Sequence, residues 1–84
     1  MIRNGKIEEQ KVGDMVVLFD TESFRFYELN GTMGFIWDML KTSVTKKDII
    51  AGITKEFSVD RKRAEADVEK AIDNLRKKKL ISGE

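Results

Sequence analysis

The chain has no cysteine and no histidine. The first absence excludes a disulfide framework, a thiolate metal site and a cysteine nucleophile. The second removes the commonest general base and the commonest transition-metal ligand. A carboxylate pair remains available for acid–base chemistry, but the acids are scattered among lysines in stretches that read as solvated helix faces and turns. An enzyme is therefore not expected, and no cofactor or metal is called for. Also missing is any apolar run near the roughly 20 residues of a membrane-spanning helix, and Met1-Ile2-Arg3-Asn4-Gly5 is no secretion signal. The expectation is a cytoplasmic protein without membrane contact. The 84 residues, 40% hydrophobic and 37% charged, can hold one small core, so residues 1–84 are expected to form a single domain.

Net charge is +1 but unevenly placed. Residues 1–40 carry four Lys/Arg against seven Asp/Glu, and residues 41–84 carry twelve against eight. Such an asymmetry suits an anionic partner, and equally it keeps a small protein soluble.

The most organised stretch is Ser23 to Leu40, where an extended run turns into a helix within two residues. Phe24 to Leu29 reads as a strand with Tyr27 and Leu29 on one face and Phe24 and Phe26 on the other. Asn30 offers a side-chain oxygen to a helix start, and Met33, Ile36, Trp37 and Leu40 follow at helical spacing. Trp37 is read as core. Upstream, Lys6 to Gln10 is a weak edge strand anchored by Ile7. Val12-Gly13-Asp14 supplies turn chemistry, and Met15 to Phe19 is an apolar run of strand length. Asp20 to Ser23 makes a tight connection back into Phe24. The expectation is a three-stranded antiparallel meander resting one face on helices. If that face carries Tyr27 and Leu29, then Phe24 and Phe26 lie on the open face, where two large exposed apolar groups mark a contact with a partner or a second copy.

Downstream of the short link at 41–44, Thr45 and Asp48 resemble a capping box, and Ile49, Ile50, Ile53 and Phe57 line one helix face. Gly52 within that helix is read as tolerance in a short element more than as close packing. Asp60 caps a third helix through Ala64, Val68, Ala71, Ile72 and Leu75, with Leu80 and Ile81 folding back on the core and 82–84 fraying. Arg61, Lys62 and Arg63 crowd the positive end of that helix's dipole, as a solvated basic turn or as a site for an anion or partner. Three strands followed by three helices describe an α+β domain.

Leu18-Phe19-Asp20, Phe26-Tyr27-Glu28-Leu29-Asn30, Gly34, Ile36-Trp37, Ala64-Glu65-Ala66-Asp67-Val68, Leu75 and Leu80-Ile81, in this order and spacing, resemble the PqqD family over about residues 7–81. The resemblance implies a winged-helix-like fold and a non-catalytic recognition element for ribosomally made peptides. In that family the leader of a precursor peptide adds as a strand beside the third strand and packs against the third helix. A modifying enzyme, typically a radical S-adenosylmethionine enzyme of pyrroloquinoline quinone biosynthesis, then acts on the presented peptide. Carried onto this chain, Arg25, Phe26, Tyr27 and Glu28 supply the strand edge, and Val68, Ala71, Ile72 and Leu75 the apolar wall. Asp67 binds peptide or pairs with Arg25 or a nearby lysine, and Lys70 or Arg76 would favour acidic leaders. The family's usual glycine before the final Leu-Ile is Lys79 here, which leaves the helix end unsettled. The aromatic strand by itself offers the same edge for backbone pairing with an extended guest, and a second copy could use it too.

The rival reading is a winged helix-turn-helix that binds nucleic acid. Eight Lys/Arg between Asp60 and Lys79 support it, but five acids interleave with them. A wing would have to follow the third helix, and too little chain remains, so nucleic acid is not the expected partner.

Overall fold

A computed structural model describes residues 2–29, 31–41 and 45–82. The expected helix cap at Asn30, the link at 42–44 and the last two residues lie outside them. Strands β1 (Ile2–Arg3), β2 (Ile7–Val12), β3 (Met15–Asp20) and β4 (Arg25–Leu29) precede helices α1 (Gly31–Met39), α2 (Lys46–Phe57) and α3 (Arg61–Lys77), and β5 (Ile81–Ser82) follows. The expected antiparallel meander is present in the order β2-β3-β4. Helices cover the sheet face that carries Val16, Leu18 and Leu29, giving an α+β domain.

Two turns fix the register of the meander. Gly13 and Asp14 join β2 to β3 as a two-residue loop across the Val12–Met15 pair, and Gly13 takes the positive φ of 64° that such a loop asks of its first residue. Between β3 and β4 the Asp20 carboxylate accepts from the backbone N–H of Glu22 (2.9 Å) and Ser23 (3.2 Å), while the Asp20 carbonyl accepts from Phe24 N–H at 2.8 Å. This closure corrects one expectation. Phe24 belongs to the turn, at φ 60°, and the strand starts at Arg25.

Each helix end has a local cause. Thr45 and Asp48 form the reciprocal capping box, and Asp60 accepts from Arg63 N–H at 2.9 Å. At the end of α3, Leu80 N–H bonds the Leu75 carbonyl and Lys79 N–H bonds the Arg76 carbonyl, both at 2.9 Å. These two bonds make a Schellman closure with Lys79 in the left-handed position at φ 59°. The closure is the one the family's glycine would suit, reached here by a residue with a side chain.

Trp37, Leu18, Ile36, Ile49, Ile53, Val68, Ile72, Leu75 and Leu80 are the largest fully buried side chains, so the core sits between the sheet and all three helices. Phe57 lies at the rim, edge-on to Phe35 at 5.5 Å. Gly52 is a second correction. A Cβ there would stand 2.8 Å from Met39 Sδ, so glycine serves close packing of α2 on α1. The chain ends also differ from expectation, because Ser82 is paired rather than frayed: β1 and β5 form an antiparallel two-stranded sheet. A half-buried network ties this second sheet to the first and to α1. Glu9 Oε1 accepts from Arg3 Nη1 at 2.9 Å and from the Trp37 indole N–H at 2.8 Å, and the Arg3 guanidinium lies 4.2 Å from the Trp37 ring centre. No described helix is long and apolar enough to cross a membrane.

Candidate functional site

Among the described residues β4 is hydrogen-bonded to a strand on one side only, its partner being β3. Its other edge offers backbone donors and acceptors from alternate residues. A trough runs beside that edge, between β4 and α3, in three contiguous parts. Its central part is lined by Phe26 to Leu29, Met33, Asn74 and Lys78. Beyond Met33 and Asn74 it continues between the start of α1 and α3, over Thr32, Asp67, Lys70 and Ala71, in a space of about 350 Å³. Beyond Tyr27 and Lys78 it continues the other way to Asp20, Ser23, Arg25, Lys77 and Lys79. An extended segment laid along β4 would thus have a backbone ladder on one side and a groove for alternate side chains on the other.

The expected site residues divide. Arg25, Phe26, Tyr27 and Glu28 lie together along the open edge, and Ala71 and Asp67 line the trough opposite. Val68, Ile72 and Leu75 do not. At 0%, 1% and 0% exposure they belong to the core, and none of them lines the trough. Asp67 pairs with Arg63 one helical turn away, at 3.8 Å, and not with Arg25. Lys70 borders the trough, whereas Arg76 lies on another face beside Arg3 and Asn4. The Arg61-Lys62-Arg63 cluster is exposed, with Arg61 and Arg63 paired to Glu65 and Asp67.

Thr32, Met33, Asn74, Lys77, Lys78 and Lys79 were not foreseen. The signal for Asn74 and Lys78 was available: 67, 70, 71, 74 and 78 recur at helical spacing and form the stripe adjoining the buried one. Asn74 Oδ1 also accepts a hydrogen bond from the Lys78 ammonium, which ties the two trough residues together. Only the fold could bring Met33 from α1 to meet them.

Electrostatics differ along the trough. Arg25, Lys77, Lys78 and Lys79 surround one end, where Asp20 is the lone carboxylate among the lining residues. The N–H donors of Glu22 and Ser23 hold the Asp20 carboxyl below the usual aspartate range, with help from the Arg25 charge and against the opposing effect of burial. Among the described residues no three His, Cys, Asp or Glu side chains stand together to hold a metal ion.

The open sheet face is a separate surface. Phe24 and Phe26 are 75% and 70% exposed, and Phe19 lies between them with ring centres 6.2 and 4.7 Å away. Register places Glu8 opposite Phe19, and Glu28 two residues from Phe26 on the same face, so the aromatic patch has an acidic border.

Comparison with known proteins gives two kinds of likeness. A family model described as Coenzyme PQQ synthesis protein D (PqqD) matches residues 15–81. Among solved structures, TbiB1 in complex with the TbiA(beta) leader peptide is 26% identical, with a TM-score of 0.93 over 100% of this chain and 98% of that one. Lasso peptide synthetase B1 complexed with the leader peptide is 25% identical, with a TM-score of 0.80 over 90% of this chain and 89% of that one. No curated protein matches in sequence. The family match runs from the first residue of β3 to the first residue of β5 and takes in both walls of the trough, so this chain belongs to the PqqD family.

Proposed function

We propose that this chain is a non-catalytic peptide-binding protein of the cytoplasm. It captures the leader of a ribosomally made precursor peptide as an added strand along β4 and presents the rest of that peptide to a modifying enzyme. The observation that carries this reading is the pairing of an unoccupied β4 edge with a trough against α3. Backbone bonds along the edge would supply affinity with little sequence dependence, and the floor at Tyr27, Met33 and Ala71 would select one or two apolar side chains. Support comes from the two similar structures, each of which is a complex with a leader peptide. The family description names coenzyme PQQ synthesis, for which the resemblance implies a radical S-adenosylmethionine enzyme as receiver, while the name of one structural neighbour points to lasso peptide synthesis.

Nucleic-acid binding is the reading to be tested against this one. In its disfavour, residues 78–80 close the end of α3 and β5 then pairs with β1, so the described residues after α3 form no wing hairpin. Labelled leader peptides, including the TbiA(beta) leader, and a labelled DNA duplex are titrated side by side by fluorescence anisotropy. Saturable peptide binding with little DNA binding is expected. Salt-sensitive binding of DNA with no peptide binding would defeat the proposal.

A further inference from the structure

The trough differs chemically from end to end, and that difference constrains its guest. Arg25, Lys77, Lys78 and Lys79 surround the end near the β3–β4 turn, and all four are exposed. Arg25, Lys77 and Lys79 join no ion pair among the described residues. The Asp20 carboxylate there is engaged by two backbone N–H groups of its own turn. Four positive charges thus face a groove with one carboxylate, Asp20, whose Oδ1 is held by its own turn, so the cations outnumber the acid at this end. At the other end the small side chain of Ala71 and the half-buried Met33 leave apolar room, with Lys70 and the Arg63-paired Asp67 beside them.

The separation of the two ends sets a spacing. Ala71 and Lys78 are two turns apart on α3, about 10 Å. An extended guest advances about 3.3 Å per residue, so that span takes three to four residues. Side chains return to the same face of a strand every second residue, which selects four.

We propose that the Arg25–Lys79 end of the trough is a carboxylate subsite. It selects leaders that carry an Asp or Glu four residues from the apolar side chain seated over Ala71. This inference rests on the peptide-binding reading above and adds to it a substrate class and a register.

The test begins with selection of random 15-residue peptides by mRNA display against the intact chain. An acidic residue four positions from a Leu, Ile or aromatic residue is expected to be enriched. One enriched peptide and its Glu→Gln version are then titrated against the wild type, Arg25→Gln and the double variant Lys77→Gln/Lys79→Gln. Exposed charge pairs are individually weak, so the double variant should bind the acidic peptide about fivefold less well at low salt. The Glu→Gln peptide should show the same loss on the wild type and none further on the double variant. Unchanged thermal midpoints would separate lost charge from lost fold. Selected peptides without acid enrichment, or equal binding of the Glu and Gln peptides, would overturn the subsite and leave the peptide-binding reading standing. A selection that returns no peptide dependent on Ala71 would overturn both.

Discussion

Filling the trough with Ala71→Phe perturbs the proposed guest site directly. Ala71 is 8% exposed at the floor of the depression beside Met33 and Asn74, so a ring there has open space to enter and need not displace the core. A guest side chain of Leu or Phe size gains about 1.5–3 kcal/mol when fully buried. Denying it that burial should weaken peptide binding by roughly 10- to 150-fold. The cost to the fold is bounded by what an overpacked site loses, about 1–3 kcal/mol. A domain holding some 5–15 kcal/mol can absorb that. Anisotropy titration of a selected peptide gives the affinity, and urea unfolding followed by Trp37 fluorescence gives the stability. Ala71→Ser, which keeps the trough open, should bind nearly as the wild type does. If Ala71→Phe folds with an unchanged denaturant slope and still binds with wild-type affinity, the guest does not lie in this trough and the site is wrong.

Two predictions concern the fold that positions the site. Lys79→Gly should be stabilising, because the left-handed conformation costs an L-residue about 1–2 kcal/mol and glycine returns about half of that as chain entropy. A rise of several degrees in thermal midpoint is expected, and a fall would mean that the Schellman closure is not strained by its lysine. Asp20 has a folded pKa below its unfolded value, so its stabilising effect is fully present above about pH 4 and fades as pH falls through the lower folded value. The stability gap between the wild type and Asp20→Asn should therefore narrow in that acid window. A gap that stays constant with pH would show that the N–H bonds of Glu22 and Ser23 do not favour the charged form.

Much of the architecture was legible because its causes are local. The capping box at Thr45 and Asp48, the Asp60 cap and the apolar run of β3 are each set by residues within a few positions of one another. Phe24 was misread as strand because its aromatic character favours an extended backbone. Closure of the loop on the Asp20 carbonyl requires a left-handed residue there, and that demand prevails over propensity. Gly52 was misread because its reason, the Met39 thioether, belongs to another helix. The pairing of β1 with β5 and the Arg3–Glu9–Trp37 network join residues up to 80 positions apart and leave no periodic trace.

The site shows the same division. Its strand edge could be read from Arg25 to Glu28, and its helix could be read from the 3.6-residue stripe of α3. Which face of α3 meets the guest could not. Val68, Ile72 and Leu75 read from the sequence as a core stripe more readily than as a binding wall, and the sheet and the other helices claim them.

The amino-acid order by itself determined the three strands of the meander and the three helices, because turn chemistry, capping and helical spacing act between near neighbours. Tertiary structure alone decided that Met33, Ala71 and Asn74 share one trough, and that four cations gather at its end. Those are packing outcomes. They depend on how much apolar surface each face of a helix buries against partners distant in the chain, a quantity that no single segment contains.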